Sequence, residues 1–368
     1  MQKIIYLFFL TIISLIIFSI TYLSLVGVET SKFNNLIIKE IKKKDSKIQL
    51  SLDKIKVKFD VKKIQIYLST TEPQITYQGI KLPIKEINLY SKIISILKSK
   101  NEINQAILSF ENFKVKDIQQ LATRIKPSNF KTYLLNNINE GELEKILIDV
   151  NLNENLKIDN YKINGSIKKV NIKVLDDLSI EDVSLNFISD KNLTLINSLN
   201  AKYKDILISN GSISLKRDKQ INIEGKFNSQ FSLNEKALIK LLSKSNLEFL
   251  EKNKVNAKGT LLHNFSLEID ENFKLVDYDY KSNGNISESK IVLKDKFQNS
   301  LLEKPIKIVS ILKTNLAINL NKKNNNSLMF DGLYNLGGTE NKNFKITHNL
   351  KKKNPKYLID VDLSENIF

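Results

Sequence analysis

The chain has 368 residues, no cysteine and a formal net charge of +17. Arg124 and Arg217 are its only arginines, so lysine supplies the other 55 of its 57 basic residues. Thiol nucleophiles, cysteine-ligated metal or iron–sulfur sites and a disulfide framework are excluded; the scarcity of arginine, whose planar fork reads phosphates and guanine edges, argues against nucleic acid as a partner.

From Ile4 to Val28 no residue is charged, a run of 25 residues. A bilayer core needs about 20. The run is too long for a signal peptide and lacks a small-x-small cleavage site, so residues 1–28 read as an uncleaved transmembrane anchor. No later stretch is long and apolar enough to span, which makes the expected topology single-pass. Lys32, Lys39, Lys42, Lys43 and Lys44 follow the anchor, and the positive-inside bias taken alone would keep the body cytoplasmic. Residues 29–45 carry Phe33, Leu36, Ile37 and Ile41 at helical spacing. They read as a juxtamembrane helix packed on the first strands, with a helix lying on the membrane surface as the alternative.

Residues 46–368 read as strand after strand. Ile48, Leu50 and Leu52 alternate with polar residues, then Ile55, Val57, Phe59 and Val61, then Ile64, Ile66 and Leu68. Lys54, Lys56, Lys58 and Asp60 fall on the opposite, wet face. The pattern returns at Tyr161–Ile167, Val170–Val174, Val183–Phe187, Ile206–Ile208, Ile213–Leu215, Ile221–Phe227, Leu262–Ile269 and Phe273–Tyr278. Strands at this spacing, parted by polar turns, predict an antiparallel meander of about 18 strands. Asn164-Gly165, Asn210-Gly211 and Asn283-Gly284 carry a hairpin signal, although at the first the alternation runs straight through, which fits a bulge. Helical insertions are expected near 91–98, 116–138 and 232–251, the last opened by the capping box Ser232-Leu233-Asn234-Glu235.

Little in the chain suggests reaction chemistry. His263 and His348 are the only histidines, far apart and without ligand spacing. There is no phosphate-binding loop, nucleophile elbow or metalloprotease motif. Tyr77, Tyr90, Phe110, Phe113, Phe227 and Phe265 read as core or groove lining. The expectation is a non-enzymatic protein without cofactor or metal.

The order of segments resembles the AsmA/TamB-like family of Gram-negative envelope proteins. An uncleaved helix Ile4–Val28 is followed by a helical spacer, Lys32–Lys44, and alternating strands Ile55–Phe59 and Ile64–Leu68. Pro83–Tyr90 then runs into a Ser/Leu/Ile helix, Ser91–Lys98, and a returning strand, Glu102–Phe110. The resemblance implies a mainly β fold with a few helices, in which the transmembrane helix precedes an elongated, twisted antiparallel sheet forming an open, taco-like groove. It further implies an inner-membrane anchor with a cytoplasmic N-terminus and a periplasmic body. The implied role is handling or transferring phospholipid along the groove for outer-membrane lipid homeostasis; the alternative is a non-enzymatic, membrane-tethered scaffold for envelope or outer-membrane protein assembly. Phospholipid acyl chains, the inner membrane and other envelope proteins are the partners this reading names. Alternation selects Ile55, Val57, Phe59, Ile64, Ile66, Ile206, Ile208, Ile221 and Ile223 as candidate groove-lining residues.

Overall fold

The structure is a computed structural model. It describes the chain apart from residues 1, 33, 93–102, 125–131, 133–134, 176–177, 242–246, 273, 301, 303, 324–325, 339, 351–355 and 364–368. The fold is mainly β: eighteen of the 21 strands among the described residues belong to one antiparallel sheet that is not closed. The chain divides into two compact units, residues 1–168 with 188–191 and residues 169–187 with 192–368.

Unit 1 opens with α1 (Gln2–Leu25). Its stretch Tyr6–Leu25 is long and apolar enough to cross a membrane, and none of it is buried against the protein. The hydroxyls of Thr11, Ser19 and Thr21 each donate to the carbonyl four residues back, at 2.8 Å. These bonds satisfy the three hydroxyls within an apolar helix. Residues 28–30, expected within the anchor and spacer, instead form β1 (Val28–Thr30), which pairs with β3 (Ile55–Asp60) through Val28↔Val57 and Thr30↔Ile55. The spacer helix is therefore shorter than expected: α2 (Asn34–Lys44), with Ile37 buried and the helix set against β2 (Ile48–Ser51). Asn34 Nδ2 donates to the carbonyls of Leu52 and Asp53 at 3.1 and 2.7 Å, pinning the helix start beside the first residue of β3.

The ladder of unit 1 continues from β3 to β4 (Gln65–Thr71), β7 (Ile84–Lys92), β8 (Ile103–Phe110) and β10 (Ile138–Leu152). β9 (Phe113–Lys114) also pairs with β10. A separate three-stranded sheet, β2 with β5 (Gln74–Tyr77) and β6 (Ile80–Leu82), packs its apolar side on the large one. Ile75, Ile84 and Ile87 are buried there, surrounded by Ile48, Leu50, Leu82, Leu89, Leu108 and Phe110.

Three helical expectations change. Ser91 and Lys92 end strand β7, and the remainder of the 91–98 segment lies outside the described residues. In 116–138 the described helix is α3 (Val115–Thr123), and part of the segment beyond it is outside the described residues. In 232–251 the serine does not cap: Ser232 lies inside β15 (Ile221–Asn234), opposite Lys258. The cap is Asn234, whose Oδ1 accepts the Ala237 N–H at 2.9 Å and opens α4 (Glu235–Leu241). A second short helix, α5 (Leu247–Lys252), buries Leu250 and leaves Phe249 exposed. Pairing with the next strand continues to Asn234, and that tertiary bond outweighs a local capping preference.

Unit 2 is a meander in which each strand pairs with its neighbours in sequence. It takes in most of β12 (Leu178–Asp190), then β13 (Leu193–Tyr203), β14 (Ile206–Arg217), β15, β16 (Lys254–Ile269), β17 (Leu275–Phe297), β18 (Ile306–Asn321), β19 (Ser327–Asn335), β20 (Lys342–Asn349) and β21 (Lys356–Val361). Register runs unbroken for 14 residue pairs between β15 and β16. None of the Asn-Gly pairs makes a hairpin turn. Asn164-Gly165 lies inside β11 (Ile158–Leu175), Asn210-Gly211 inside β14 and Asn283-Gly284 inside β17. Asn210 has φ 52° at a register shift between Ser209 and Ser212, which is a β-bulge. Asparagine tolerates that left-handed backbone, and Gly211 lets Leu199 cross over it: a Cβ there would sit 2.8 Å from that of Leu199. Gly284 is tighter, since a Cβ would meet the Thr260 carbonyl oxygen at 2.0 Å.

Because backbone, not a flexible side chain, blocks position 284, Gly284→Ala is expected to lower stability by about 1–3 kcal/mol. Lys281→Ala, at an exposed position on the same strand, is expected to change it by no more than about 0.5 kcal/mol. Urea unfolding of the two purified variants beside the parent chain measures both.

Candidate functional site

The candidate site is a face, not a pocket. In unit 2 the side chains of β15 alternate without exception: Ile221, Ile223, Phe227, Phe231 and Leu233 turn to one face, and Asn222, Glu224, Lys226, Asn228 and Gln230 to the other. Register carries the apolar positions across strands into continuous rows. One row is Ile208–Ser229–Leu261–Gly284–Leu316–Phe330–Ile346–Ile359, from β14 to β21. A second is Leu215–Ile223–Leu267–Tyr278. Ile208, Ile223, Leu261, Leu267, Phe330 and Ile346 are half-buried, neither sealed as in a sandwich core nor fully exposed. Among the described residues, α4 lies against β15 and β16, and α5 against β16.

The nine sequence-predicted positions separate by unit. In unit 2, Ile206, Ile208, Ile221 and Ile223 share the apolar face, and all four are half-buried. In unit 1, Ile55, Val57, Phe59 and Ile66 share one face through the pairs Val57↔Leu68 and Phe59↔Ile66. Ile55 is fully buried between Thr30 and Thr70, so it is packed core and meets no solvent. Ile64 does not join them. It sits in the turn between β3 and β4 with φ 51° and is 68% exposed, because the strand restarts at Gln65 and not at Ile64.

A polar cluster interrupts the apolar face of unit 2, and alternation alone did not reveal it. His263 lies opposite Phe227 on β15 and Ser282 on β17. Its ring stacks on Phe227 at 4.3 Å. Nε2 is 2.7 Å from Ser229 Oγ, and Nδ1 is 2.8 Å from Tyr280 Oη. Either neutral tautomer satisfies the cluster, because one hydroxyl donates to the ring while the ring N–H donates to the other. Burial pushes the imidazole pKa below its ordinary value and the Tyr280 phenol above its own. A serine beside a histidine has the outline of an activated nucleophile. Here the second ring nitrogen meets a phenol in place of an orienting carboxylate, and both Ser229 and His263 are buried. The arrangement satisfies the polar atoms of Ser229, His263 and Tyr280. His348, the other histidine, lies on the same row, which runs Phe227–His263–Ser282–Ile318–Leu328–His348–Tyr357. It stacks on Tyr357 at 4.0 Å.

The polar faces carry their own features. Tyr90, read as core or groove lining, lies on the lysine-bearing face of unit 1, opposite Tyr67, which pairs with Lys58. The two rings stack at 4.9 Å, and the Lys63 ammonium sits 4.0 Å from the Tyr90 centroid. Burial first, and then Asp60, pushes the Tyr90 phenol up to about 12. In unit 2 a depression of about 540 Å³ opens on the polar face, lined by Ser212, Ser214, Glu224, Lys226, Asn264, Ser266, Asp279 and Lys281, among others. Its charges are mixed in sign, and Asp279 pairs with Lys281 at 3.4 Å. No group of three or more His, Asp or Glu among the described residues is placed to hold a metal ion.

Comparison of the chain with known protein families, with curated proteins and with solved structures finds no match. The geometry of the faces therefore carries the functional argument.

The buried histidine gives a pH dependence with a definite sign. Its folded pKa lies below the unfolded value of about 6.5. Below that pH the unfolded chain takes up a proton that the folded chain resists, so this stabilisation is complete at neutral pH and is lost on acidification. The urea midpoint is expected to fall between pH 7.5 and 5, with His263 contributing at most about 1.4 kcal/mol per pH unit. His263→Phe is expected to flatten the profile, which parallel urea titrations of variant and parent measure.

Proposed function

We propose that this protein handles phospholipid: α1 holds it in a membrane, and its body shelters acyl chains from water along the apolar sheet face. The observation that carries this reading is the half-buried state of that face in unit 2, with apolar rows running from strand to strand and polar side chains on the opposite side. A face of this kind offers an acyl chain a surface at every strand. Each CH₂ kept out of water is favourable by about 0.8 kcal/mol, so a chain moving from row to row avoids the steep cost of crossing water. Movement along such a face needs no nucleotide or metal within the protein.

The resemblance of the segment order to AsmA/TamB-like envelope proteins supports the same reading and extends it. On that basis the anchor lies in the inner membrane with its N-terminus cytoplasmic, the body lies in the periplasm, and the lipid serves the outer membrane. The lysine-rich composition suits work beside anionic headgroups.

Adjacent residues of β14 provide the test. Ile208 faces the apolar side, whereas Leu207 is 53% exposed on the other. With the photo-crosslinker p-benzoylphenylalanine placed singly at Ile208 or Leu261 of the full chain in cell membranes, irradiation is expected to yield phospholipid adducts detected by mass spectrometry. Leu207 and Lys226 are expected to yield none. Adducts at Leu207 and Lys226 equal to those at Ile208, or protein adducts alone at Ile208, would count against lipid handling and for a scaffold.

A further inference from the structure

Among the described residues, β21 is an outer edge of the unit 2 sheet. It pairs with β20 from Phe344↔Val361 to Asn349↔Lys356, and all six of its residues are exposed, with Leu358 at 70%. It is nevertheless held in place. Tyr334 Oη donates to the Asp362 carbonyl at 2.6 Å, and Asn343 Nδ2 donates to Asp362 Oδ2 at 2.7 Å. The Asp362 N–H donates to the Asn343 carbonyl at 3.0 Å, which fixes the alternation of the strand. Lys356, Leu358 and Asp360 address their backbone groups to β20, while Tyr357 and Ile359 turn theirs outward. An ordered apolar edge with outward N–H and C=O groups is a template for another strand.

The sequence of that edge is complementary to itself. Laid antiparallel against a second copy and centred on Leu358, the stretch Lys356-Tyr357-Leu358-Ile359-Asp360 sets Lys356 opposite Asp360, Tyr357 opposite Ile359 and Leu358 opposite Leu358. The outward-facing residues, Tyr357 and Ile359, are the ones that then exchange backbone hydrogen bonds, two in each of two symmetric pairs. Aromatic against β-branched, and opposite charge against opposite charge, are favourable cross-strand neighbours. The next registers that keep the faces aligned oppose Leu358 to Lys356 or to Asp360, so charge and hydrophobicity select one register.

We propose that the protein forms a two-fold symmetric homodimer in which β21 of one copy pairs antiparallel with β21 of the other, centred on Leu358. The contact is isologous and closes at two copies. It joins the two apolar faces on the same side of one continuous sheet. This inference stands on the edge alone and does not depend on what the face binds.

The chain has no cysteine, so a single introduced thiol reports a single contact. In the centred register the two Leu358 residues form a non-hydrogen-bonded pair, with Cα atoms about 4.5 Å apart, within disulfide reach. Full-length Leu358→Cys in cell membranes, oxidised with copper phenanthroline, is expected to give a reducible band at twice the chain mass. Tyr357→Cys and Ile359→Cys are each expected to give little alone and a mixed disulfide when co-expressed. For the parent chain in detergent, light scattering is expected to report a dimer. Lys356→Asp or Asp360→Lys is expected to weaken that dimer about tenfold, and the double exchange Lys356→Asp/Asp360→Lys to restore it. Leu358→Cys crosslinking no better than a cysteine at exposed Ile158, crosslinking to a protein of another mass, or a double exchange that stays monomeric would each overturn the dimer.

Discussion

The structure depends on the two-residue period of a strand whose backbone is paired on both sides. Once β15 bonds to β14 and β16, its side chains have only two directions, and the sequence fills them with Ile, Phe and Leu on one side and Asn, Glu and Lys on the other. A strand cannot keep its ladder bonds and turn an isoleucine away from its row. The apolar face of unit 2 is the accumulated result of that constraint over successive strands. The buried cluster around His263 obeys it too: a polar ring on the apolar side is tolerated because Ser229 and Tyr280, at neighbouring positions of the same face, satisfy both nitrogens.

The two units show what decides whether such a face becomes core. In unit 1 a small second sheet lies over the large one, so Ile75, Ile84 and Ile87 are sealed. In unit 2 the corresponding cover is two short helices near β15 and β16. The same side-chain chemistry thus serves cohesion in one unit and remains half-accessible in the other.

This difference explains how far the sequence could be read. Alternation assigned Ile206, Ile208, Ile221 and Ile223 to a shared face, and an uncharged run announced α1, because both signals depend only on neighbours along the chain. Ile55 and Ile64 show the limit. Both fit the alternating pattern, yet one is enclosed by the strands flanking it and the other falls in a turn. Enclosure is a property of segments distant in sequence. The hairpin signals at Asn210-Gly211 and Asn283-Gly284 and the Ser232 capping box failed for a related reason: each is a sound local preference, overruled by ladder bonds that ran on past it. Tyr90 is buried as expected, yet on the lysine-bearing face, where its ring packs between Tyr67 and the Lys63 ammonium.

Pairing between sequence neighbours also has a kinetic meaning. From β13 to β21 each new strand finds its partner in the hairpin just completed, so loop-closure costs stay small and the longest interruption is the α4–α5 insertion. All-β folds are slow when their strands pair across the whole chain; a meander escapes that penalty. Such a sheet can grow as the polypeptide is delivered, one strand at a time. Every stage of that growth ends in an unsatisfied edge, which the following strand removes, so the growing end of the sheet is the part of the fold most open to foreign strands.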